Sequence, residues 1–212
     1  MPVARARLAA PAVLLAPRLL GAVIRSTTES GEVAVRLTEV EAYEGRDDPA
    51  SHAFRGPTPR TAVMFGPPGH LYCYFTYGIH WCMNIVCARD GEASAVLLRA
   101  GEVVRGADAA RSRRPVAGDD CGLARGPARL AGCLGVGREQ NGIDLCDAFS
   151  PVVLESMPAR RRRDVLAGPR VGIRAATDRA WRFWLPGEPS VSAYRPGGRK
   201  RIRADRHTGT RE

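Results

Sequence analysis

Residues 33–43 read VAVRLTEVEAY, and this stretch decides the fold because apolar and polar residues alternate along it. Such alternation is typical of a β-strand with one buried face. The odd-numbered aliphatic residues up to Leu37 share one face, and continued alternation puts Glu39 and Glu41 on that same face. The pattern therefore predicts a strand whose core-facing side ends in two acidic side chains.

Two explanations remain open for acids at these positions. The strand can twist out into solvent at its end, which is the commoner reason for such a pair. The acids can instead line a pocket, and Tyr43, the next residue of the same parity, favours this explanation. A partly dehydrated carboxylate has a raised pKa and can take a proton from water, so one of the two is a candidate general base. The pattern alone does not say whether it is Glu39 or Glu41.

Strand and helix signals surround this segment. The pattern predicts a hairpin of two strands over 22–42, and it predicts a second hairpin, beyond a Gly- and Pro-rich loop, from the aromatic-rich runs on either side of Tyr77-Gly78-Ile79. The remaining predicted elements are helices over 7–20, 102–114 and 126–136, and strands over 95–100, 170–176, 181–185 and 191–194. Because strands and helices neither alternate nor segregate, we expect an α+β fold.

The predicted architecture is one compact domain over residues 1–200, followed by a basic C-terminal tail over 201–212. We expect a mainly antiparallel, curved sheet with flanking helices and a protruding β-hairpin. A chain of 212 residues with 44% hydrophobic residues can bury the core that such a domain needs.

Charge is unevenly distributed along the chain. Of the formal net charge of +10, residues 101–212 carry +9, from 22 basic and 13 acidic residues. A one-sided basic protein favours a polyanionic partner. Solvent exposure is the commoner explanation for the run RRRRD at 160–164 and for the basic tail.

Other residue types exclude several kinds of chemistry. Lys200 is the only lysine, so an amine nucleophile in the folded body is almost excluded. The six cysteines form no CxxC pair and no Cys/His group at zinc spacing, so we expect free thiols, no metal and no cofactor. No apolar stretch approaches the roughly 20 residues of a membrane span, and Pro11 and Pro17 interrupt a weak signal-like N-terminus. We expect a cytoplasmic protein.

Aromatic residues cluster between residues 65 and 81. Packing on the sheet explains some of these rings, but Tyr72 and Tyr74 share a face, so one of them could meet a ligand. Tyr77 stands beside a glycine at a hairpin end, where a ring is poorly placed for burial and well placed to wedge into a base stack. His52 and Asn84 adjoin apolar runs and are either ordinary core polar groups or ligand contacts.

Several motifs occur together and in order. EAY at 41–43, MFGPPGHLY at 64–72 and YFTYG at 74–78 are the most specific, and further similar stretches include 124–136 and 168–176. Together they resemble the alkyladenine (3-methyladenine) DNA glycosylase family. The resemblance implies a compact α+β domain, a monomer without a metal, and entry from the minor groove of double-stranded DNA.

The resemblance also implies roles for individual residues. Glu41, rather than Glu39, matches the catalytic base, which activates a water for direct attack on C1′. Arg99 matches a residue that helps to place the water and the target nucleotide. Asn84 matches the residue that rejects the 2-amino group of guanine.

The resemblance assigns four rings as well. Tyr43, His52 and Tyr74 match the residues that stack on the extruded base. Tyr77 matches the residue that fills the gap left by the flipped nucleotide.

The implied function is base excision repair by a monofunctional DNA glycosylase. Alkylated purines such as 3-methyladenine and 7-methylguanine are the first expected substrates, with hypoxanthine and ethenoadenine as further ones. Strand cleavage by a lyase step is not expected, because a Schiff base would need an amine. Removal of Met1 would expose the amine of Pro2, and an N-terminal proline amine is the nucleophile in an unrelated class of bifunctional glycosylases, but the sequence after Pro2 does not resemble that class. We expect the protein at the nucleoid.

The residues themselves suggest two other candidate functions. Glu39 and Glu41, about 7 Å apart on one strand, have the separation of an inverting carbohydrate hydrolase, but they cannot flank a sugar from one face of one strand. A basic nucleic-acid-binding module without catalysis is the other candidate, and it predicts that Glu41→Gln changes no activity.

Overall fold

The computed structural model describes residues 1–158 and 164–198. The basic tail over 201–212 lies outside the described residues, as does the run at 160–164 apart from its last residue. The strands are β1 (Val23–Thr28), β2 (Gly31–Glu44), β3 (Leu71–Thr76), β4 (His80–Cys87), β5 (Ser94–Arg105), β6 (Val152–Ser156), β7 (Leu166–Gly168) and β8 (Arg182–Trp184). The α-helices are α1 (Ala12–Leu19), α2 (Ala107–Arg113), α3 (Asp120–Leu123) and α4 (Pro127–Leu134).

The strands form one eight-stranded antiparallel sheet, in which six strands follow the order β3-β4-β5-β2-β1-β6, β8 pairs with β2, and β7 pairs with β8. Strand β2 is long enough to pair with different neighbours along one edge: β1 pairs with its first half, and β8 pairs with Glu39–Glu41. Strand β5 pairs with β2 along the other edge. This antiparallel sheet with few helices confirms the predicted α+β fold.

The prediction that the two acids share the face of the preceding aliphatic residues is wrong. The register between β2 and β5 shifts on both sides of Glu39, so the strict alternation breaks there. Before the irregularity Val35 and Leu37 face the hydrophobic core, and after it Val40 and Ala42 do. The odd-numbered acids therefore lie on the opposite face of the sheet.

Aliphatic side chains fill the core on one side of the sheet. Leu15 from α1 and Leu130 from α4 pack in the same cluster as Leu37 and Leu98 from the two central strands. All four side chains are fully buried. The other face of the same strands is left for a second set of residues.

The boundaries of several elements differ from those predicted. Helix α1 is shorter than 7–20, because Pro11 stands immediately before it. The predicted helix over 102–114 is half strand: β5 continues to Arg105, and α2 begins only after Gly106. Gly106 has a φ of 75°, and a Cβ there would lie 1.9 Å from the carbonyl oxygen of Glu32. That contact permits only glycine at the strand-to-helix turn.

The end of the chain differs most from prediction. Of the three late strands only β8, within 181–185, forms, whereas 170–176 and 191–194 are irregular. Strands β6 and β7 and helix α3 were not predicted. No helix of the described residues has the length and apolar character needed to cross a bilayer.

Candidate active site

A cavity of 380 Å³ opens on the sheet face opposite the core. Its floor is one row of side chains across four neighbouring strands. In register, Glu41 of β2 pairs with Leu97 of β5, Leu97 with Asn84 of β4, and Asn84 with Tyr72 of β3. Antiparallel pairing therefore brings residues from distant parts of the chain to one surface.

All seven residues predicted for the site line this cavity: Glu41, Tyr43, His52, Tyr74, Tyr77, Asn84 and Arg99. The structure thus places them together. Their individual roles remain predictions.

Glu41 is fully buried on the cavity floor. Its Oε1 accepts a hydrogen bond from the backbone amide of Val171 (2.7 Å), and its Oε2 accepts one from the Tyr43 hydroxyl (2.8 Å). Nη1 of Arg99 lies 3.4 Å from Oε1. Burial raises the pKa of Glu41 by more than these neighbours lower it, so its pKa stays above the ordinary value.

Glu39 is equally buried but has a different environment. It accepts hydrogen bonds from Nε of Arg99 (2.8 Å), from Nε of Arg182 (2.7 Å) and from the backbone amide of Ser192 (2.7 Å). Burial raises the pKa of Glu39, but the two guanidinium charges and the Ser192 amide outweigh it and leave the pKa below its ordinary value. Glu39 is not among the cavity-lining residues, so the cavity contacts the more basic of the two carboxylates.

Aromatic rings form the cavity walls. The rings of His52 and Tyr74 meet edge to face with centroids 4.5 Å apart, and Nδ1 of His52 lies 3.1 Å from the Tyr72 hydroxyl. Burial raises the pKa values of Tyr43 and Tyr74 well above the usual phenol value, so both stay neutral. Burial and the nearby Arg60 lower the pKa of His52, so it is a neutral imidazole at pH 7.

Asn84 is held in place by its own hairpin. Its Nδ2 donates to the carbonyl oxygen of Tyr72 on the paired strand (3.0 Å), and the residue is only 5% exposed. An amide fixed in this way presents a rigid edge to the cavity.

Tyr77 occupies the tip of the hairpin formed by β3 and β4. It has a φ of 53°, followed by Gly78 at 71°, so two successive residues are left-handed. A non-glycine residue in this region is strained, and Tyr77 gains no compensating burial because it is 88% exposed. The ring thus contributes little to the fold and stands at the cavity mouth.

Behind the residues that line the cavity lies a second set, which the sequence patterns did not indicate. Arg170 is buried, bonds to Asp48 and to the Ala42 carbonyl, and stacks 4.6 Å from the Tyr43 ring centroid. Trp181 lies on the same guanidinium at 5.2 Å. The segment over 170–176, predicted as a strand, instead uses its Val171 amide to hold Glu41. One signal was available in the sequence: Arg170 adjoins apolar residues, and a buried guanidinium needs an acidic partner such as Asp48.

The described part of the chain contains no candidate metal-binding site. No group of three or more His, Cys, Asp or Glu residues there could hold a metal ion. Residues 1–158 and 164–198 also contain all six cysteines, each as a free thiol.

Comparison with known proteins decides the family. The family model for methylpurine-DNA glycosylase (MPG) matches residues 6–189. The chain belongs to this family. A protein of Streptomyces avermitilis is 50% identical over 196 residues, 92% of each chain. A protein of Nocardia farcinica is 52% identical over 185 residues, 85% of each chain. Both bear 3-methyladenine DNA glycosylase as a provisional name.

Membership of the methylpurine-DNA glycosylase family gives the cavity its chemical setting. A DNA glycosylase breaks the N-glycosidic bond between a base and its sugar, so this chain is a DNA-repair hydrolase of N-glycosyl bonds. The carbohydrate-hydrolase alternative loses its support, because Glu39 lies outside the cavity lining and its oxygens are engaged by Arg99, Arg182 and Ser192.

Proposed function

We propose that this protein flips damaged purines, alkylated ones first, out of duplex DNA and hydrolyses the N-glycosidic bond with a water activated by Glu41. One observation carries the proposal: a fully buried carboxylate with a raised pKa lines a cavity with neutral aromatic walls. A carboxylate with a raised pKa is a stronger base, and one kept partly dry suits proton abstraction from water.

Glu41 retains the capacity to bind that water. Each carboxylate oxygen has two lone-pair directions, and each already accepts one hydrogen bond, from Val171 or from Tyr43. We assign the remaining capacity to a water aimed at C1′, held with the help of Arg99, whose Nη1 lies 3.4 Å from Oε1. As an anion Glu41 also stabilises the positive charge that develops on the sugar when the base departs.

The aromatic walls supply selection for damage. Alkylation at N3 or N7 gives a purine a positive charge, which strengthens its stacking on Tyr43 and Tyr74 by roughly 0.5–2 kcal/mol. The neutral state of His52 and of both tyrosines fits this task, since none of the rings carries a repelling charge. Neutral lesions such as hypoxanthine and ethenoadenine would depend more on shape.

Two further residues set access to the cavity. Extruding a nucleotide costs a few kcal/mol of stacking, which the exposed Tyr77 ring offsets by entering the vacated space. Asn84, fixed by Tyr72, would meet the 2-amino group of an undamaged guanine with an edge that cannot yield. Rejection by an immobile polar group disfavours the wrong base.

The product would be an intact abasic site. Among the described residues there is no lysine, and none of those that line the cavity carries an amine. We therefore expect no Schiff base to the sugar and an uncut strand. Double-stranded DNA is thus the proposed partner of a monomeric enzyme at the nucleoid.

A single-turnover assay tests the proposal. Duplexes carrying 3-methyladenine, 7-methylguanine, hypoxanthine or ethenoadenine are incubated with excess protein. Base release is followed over time, and strand breaks are measured before and after treatment with alkali. We expect Glu41→Gln to slow release by roughly 100- to 10,000-fold. Strand breaks should require alkali.

The matched control is Glu44→Gln on the same strand. Glu44 accepts hydrogen bonds from a backbone amide and from Ser94, as Glu41 accepts from an amide and a hydroxyl, but it lies outside the cavity lining. Its substitution should leave the rate unchanged. Base release that survives Glu41→Gln would reject the mechanism, and DNA binding without release in both proteins would favour the non-catalytic module.

A further inference from the structure

Glu39 has no place in the mechanism above, yet it is as deeply buried as Glu41 and lies two residues from it. Burying a second carboxylate is costly unless partners offset the loss of hydration. The partners come from three elements: Arg99 from β5, Arg182 from β8 and Ser192 from the C-terminal segment. A simple ion pair would need only one of these three partners.

The geometry joins Glu39 to Glu41 through a single side chain. Glu39 binds the Nε edge of Arg99 at 2.8 Å, and the Nη1 atom of the same guanidinium lies 3.4 Å from Glu41. The Ser192 hydroxyl donates to Glu39 at 2.9 Å and accepts from Nη2 of Arg99 at 3.3 Å. A planar guanidinium held at one edge has its other edge fixed in direction.

We propose that Glu39 is a positioning residue: it holds Arg99 by its Nε edge, so that Arg99 faces Glu41 and the attacking water without closing onto Glu41. This rests on the proposed function. Glu39 itself touches neither substrate nor water. Without Glu39, the Arg99 guanidinium would be free to form a closer ion pair with Glu41. Glu41 would then be a weaker base, and the attacking water would be misplaced.

The surroundings of Glu41 determine the direction of a measurable effect. The groups that face it, besides Glu39 on its own strand, are Arg99, Tyr43, the Val171 amide, Tyr74, Cys82 and Arg170. Among these the negative charge of Glu39 raises the pKa of Glu41, and Arg99 lowers it. Neutralising Glu39 therefore removes a charge that raises the pKa of Glu41 and strengthens the effect of Arg99, which lowers it. We expect the pKa of Glu41 to fall.

The test compares Glu39→Gln with Glu39→Asp and with the control Glu44→Gln. We expect Glu39→Gln to slow single-turnover base release by roughly tenfold to 100-fold, the cost of a misplaced catalytic group. The acid limb of its pH–rate profile should move to lower pH. Affinity for a duplex with a tetrahydrofuran abasic-site analogue should stay within about threefold of wild type. Glu39→Asp keeps the charge and should keep the acid limb in place.

A second variant covers the case in which Glu39→Gln does not fold. Ser192→Ala keeps both carboxylates and removes only the hydroxyl shared by Glu39 and Arg99. We expect a loss of roughly twofold to tenfold in rate, with abasic-duplex affinity unchanged.

Two results would overturn the inference. One is a Glu39→Gln protein that matches Glu44→Gln in rate and pH profile. The other is a slower protein whose acid limb is unmoved and whose affinity falls as much as its rate, which marks a merely structural role. Glu41→Gln in the same assay separates the two proposals: if it releases base normally the proposed function fails, and if it is inactive while Glu39→Gln is normal only this inference fails.

Discussion

Beside the cavity, both faces of strands β2 and β5 are buried, but the two faces serve opposite purposes. On the core face, Val40 and Leu98 are fully buried among other aliphatic side chains. On the cavity face of the same strands, Glu41 and Arg99 are ionisable residues buried at 0% and 6% exposure. Burial of the aliphatic pair stabilises the fold, whereas burial of the ionisable pair costs hydration free energy. Equal burial therefore does not mean an equal contribution to stability.

Glu39 and Glu41 differ in how far the free-energy cost of their dehydration is offset by neighbouring groups. At Glu39 the cost of dehydration is offset by two guanidinium groups, and its pKa falls. At Glu41 the offset is incomplete, and the residual cost is visible as a raised pKa. An incompletely compensated carboxylate is a usable base, whereas a fully paired one is a support for its neighbours.

The largest expected effect comes from Leu98→Ala compared with Leu97→Ala. These leucines are adjacent in β5 and lie on opposite faces: Leu98 packs in the core, and Leu97 lines the cavity. Leu98→Ala should lower the free energy of unfolding by about 2–5 kcal/mol, because it leaves a void in a packed core. Base release per folded molecule should not change.

Leu97→Ala should show the reverse pattern. It enlarges a cavity that is already open, so it should cost less stability than Leu98→Ala while altering the rate or the choice of lesion. Denaturant unfolding and single-turnover assays on both proteins provide the measurements. Equal stability losses with equal rates would mean that the two faces are not functionally distinct.

The central strands of this comparison could be foreseen from the sequence. Alternation predicted the hairpin over 22–42, and the aromatic runs around Tyr77 predicted the second hairpin. Both signals are local, since alternation and turn residues act within a few positions. The seven site residues were drawn together only by resemblance, because sequence spacing does not reveal which strands pair.

The irregularity around Glu39 could not be foreseen. A β-bulge depends on the partner strand, and its extra residue moves every later side chain of its strand to the other face. The pattern therefore placed the acids together correctly but on the wrong face. The segment over 170–176 was misjudged for a related reason: its apolar residues suited a strand, while Arg170 and the Val171 amide were needed by Asp48 and Glu41.

The next effect is the pH dependence of the cavity face. Base catalysis requires ionised Glu41, so the rate should fall about tenfold per pH unit below the pKa of Glu41, which is above its ordinary value. A carboxyl with a raised pKa in the folded state contributes stability below its unfolded pKa and loses it as pH rises through the folded pKa. At neutral pH, Glu41→Gln should thus be more stable than wild type.

Rate and stability measured across pH 4–8 test both statements. The residual rate of Glu41→Gln should lack the acid limb, and the difference in unfolding free energy between the two proteins should shrink as pH falls. An acid limb retained in Glu41→Gln would assign it to another group.

The smallest effect separates the two functions of one ring. Tyr43→Phe keeps the stacking surface and removes the hydroxyl that donates to Glu41 at 2.8 Å. Loss of one such hydrogen bond, about 0.5–1.5 kcal/mol, should slow base release roughly twofold to tenfold. That hydrogen bond lowers the pKa of Glu41, so its removal should move the acid limb to higher pH, opposite to Glu39→Gln.

Tyr72→Phe is the matched control, because the Tyr72 hydroxyl contacts His52 in the same cavity. Its acid limb should stay where the wild type has it. If both variants move the limb equally, the cavity responds to any lost hydroxyl and the Tyr43 hydrogen bond has no special part. If only Tyr43→Phe moves it, and in the direction opposite to Glu39→Gln, the cavity face tunes one carboxylate from two sides while the core face takes no part.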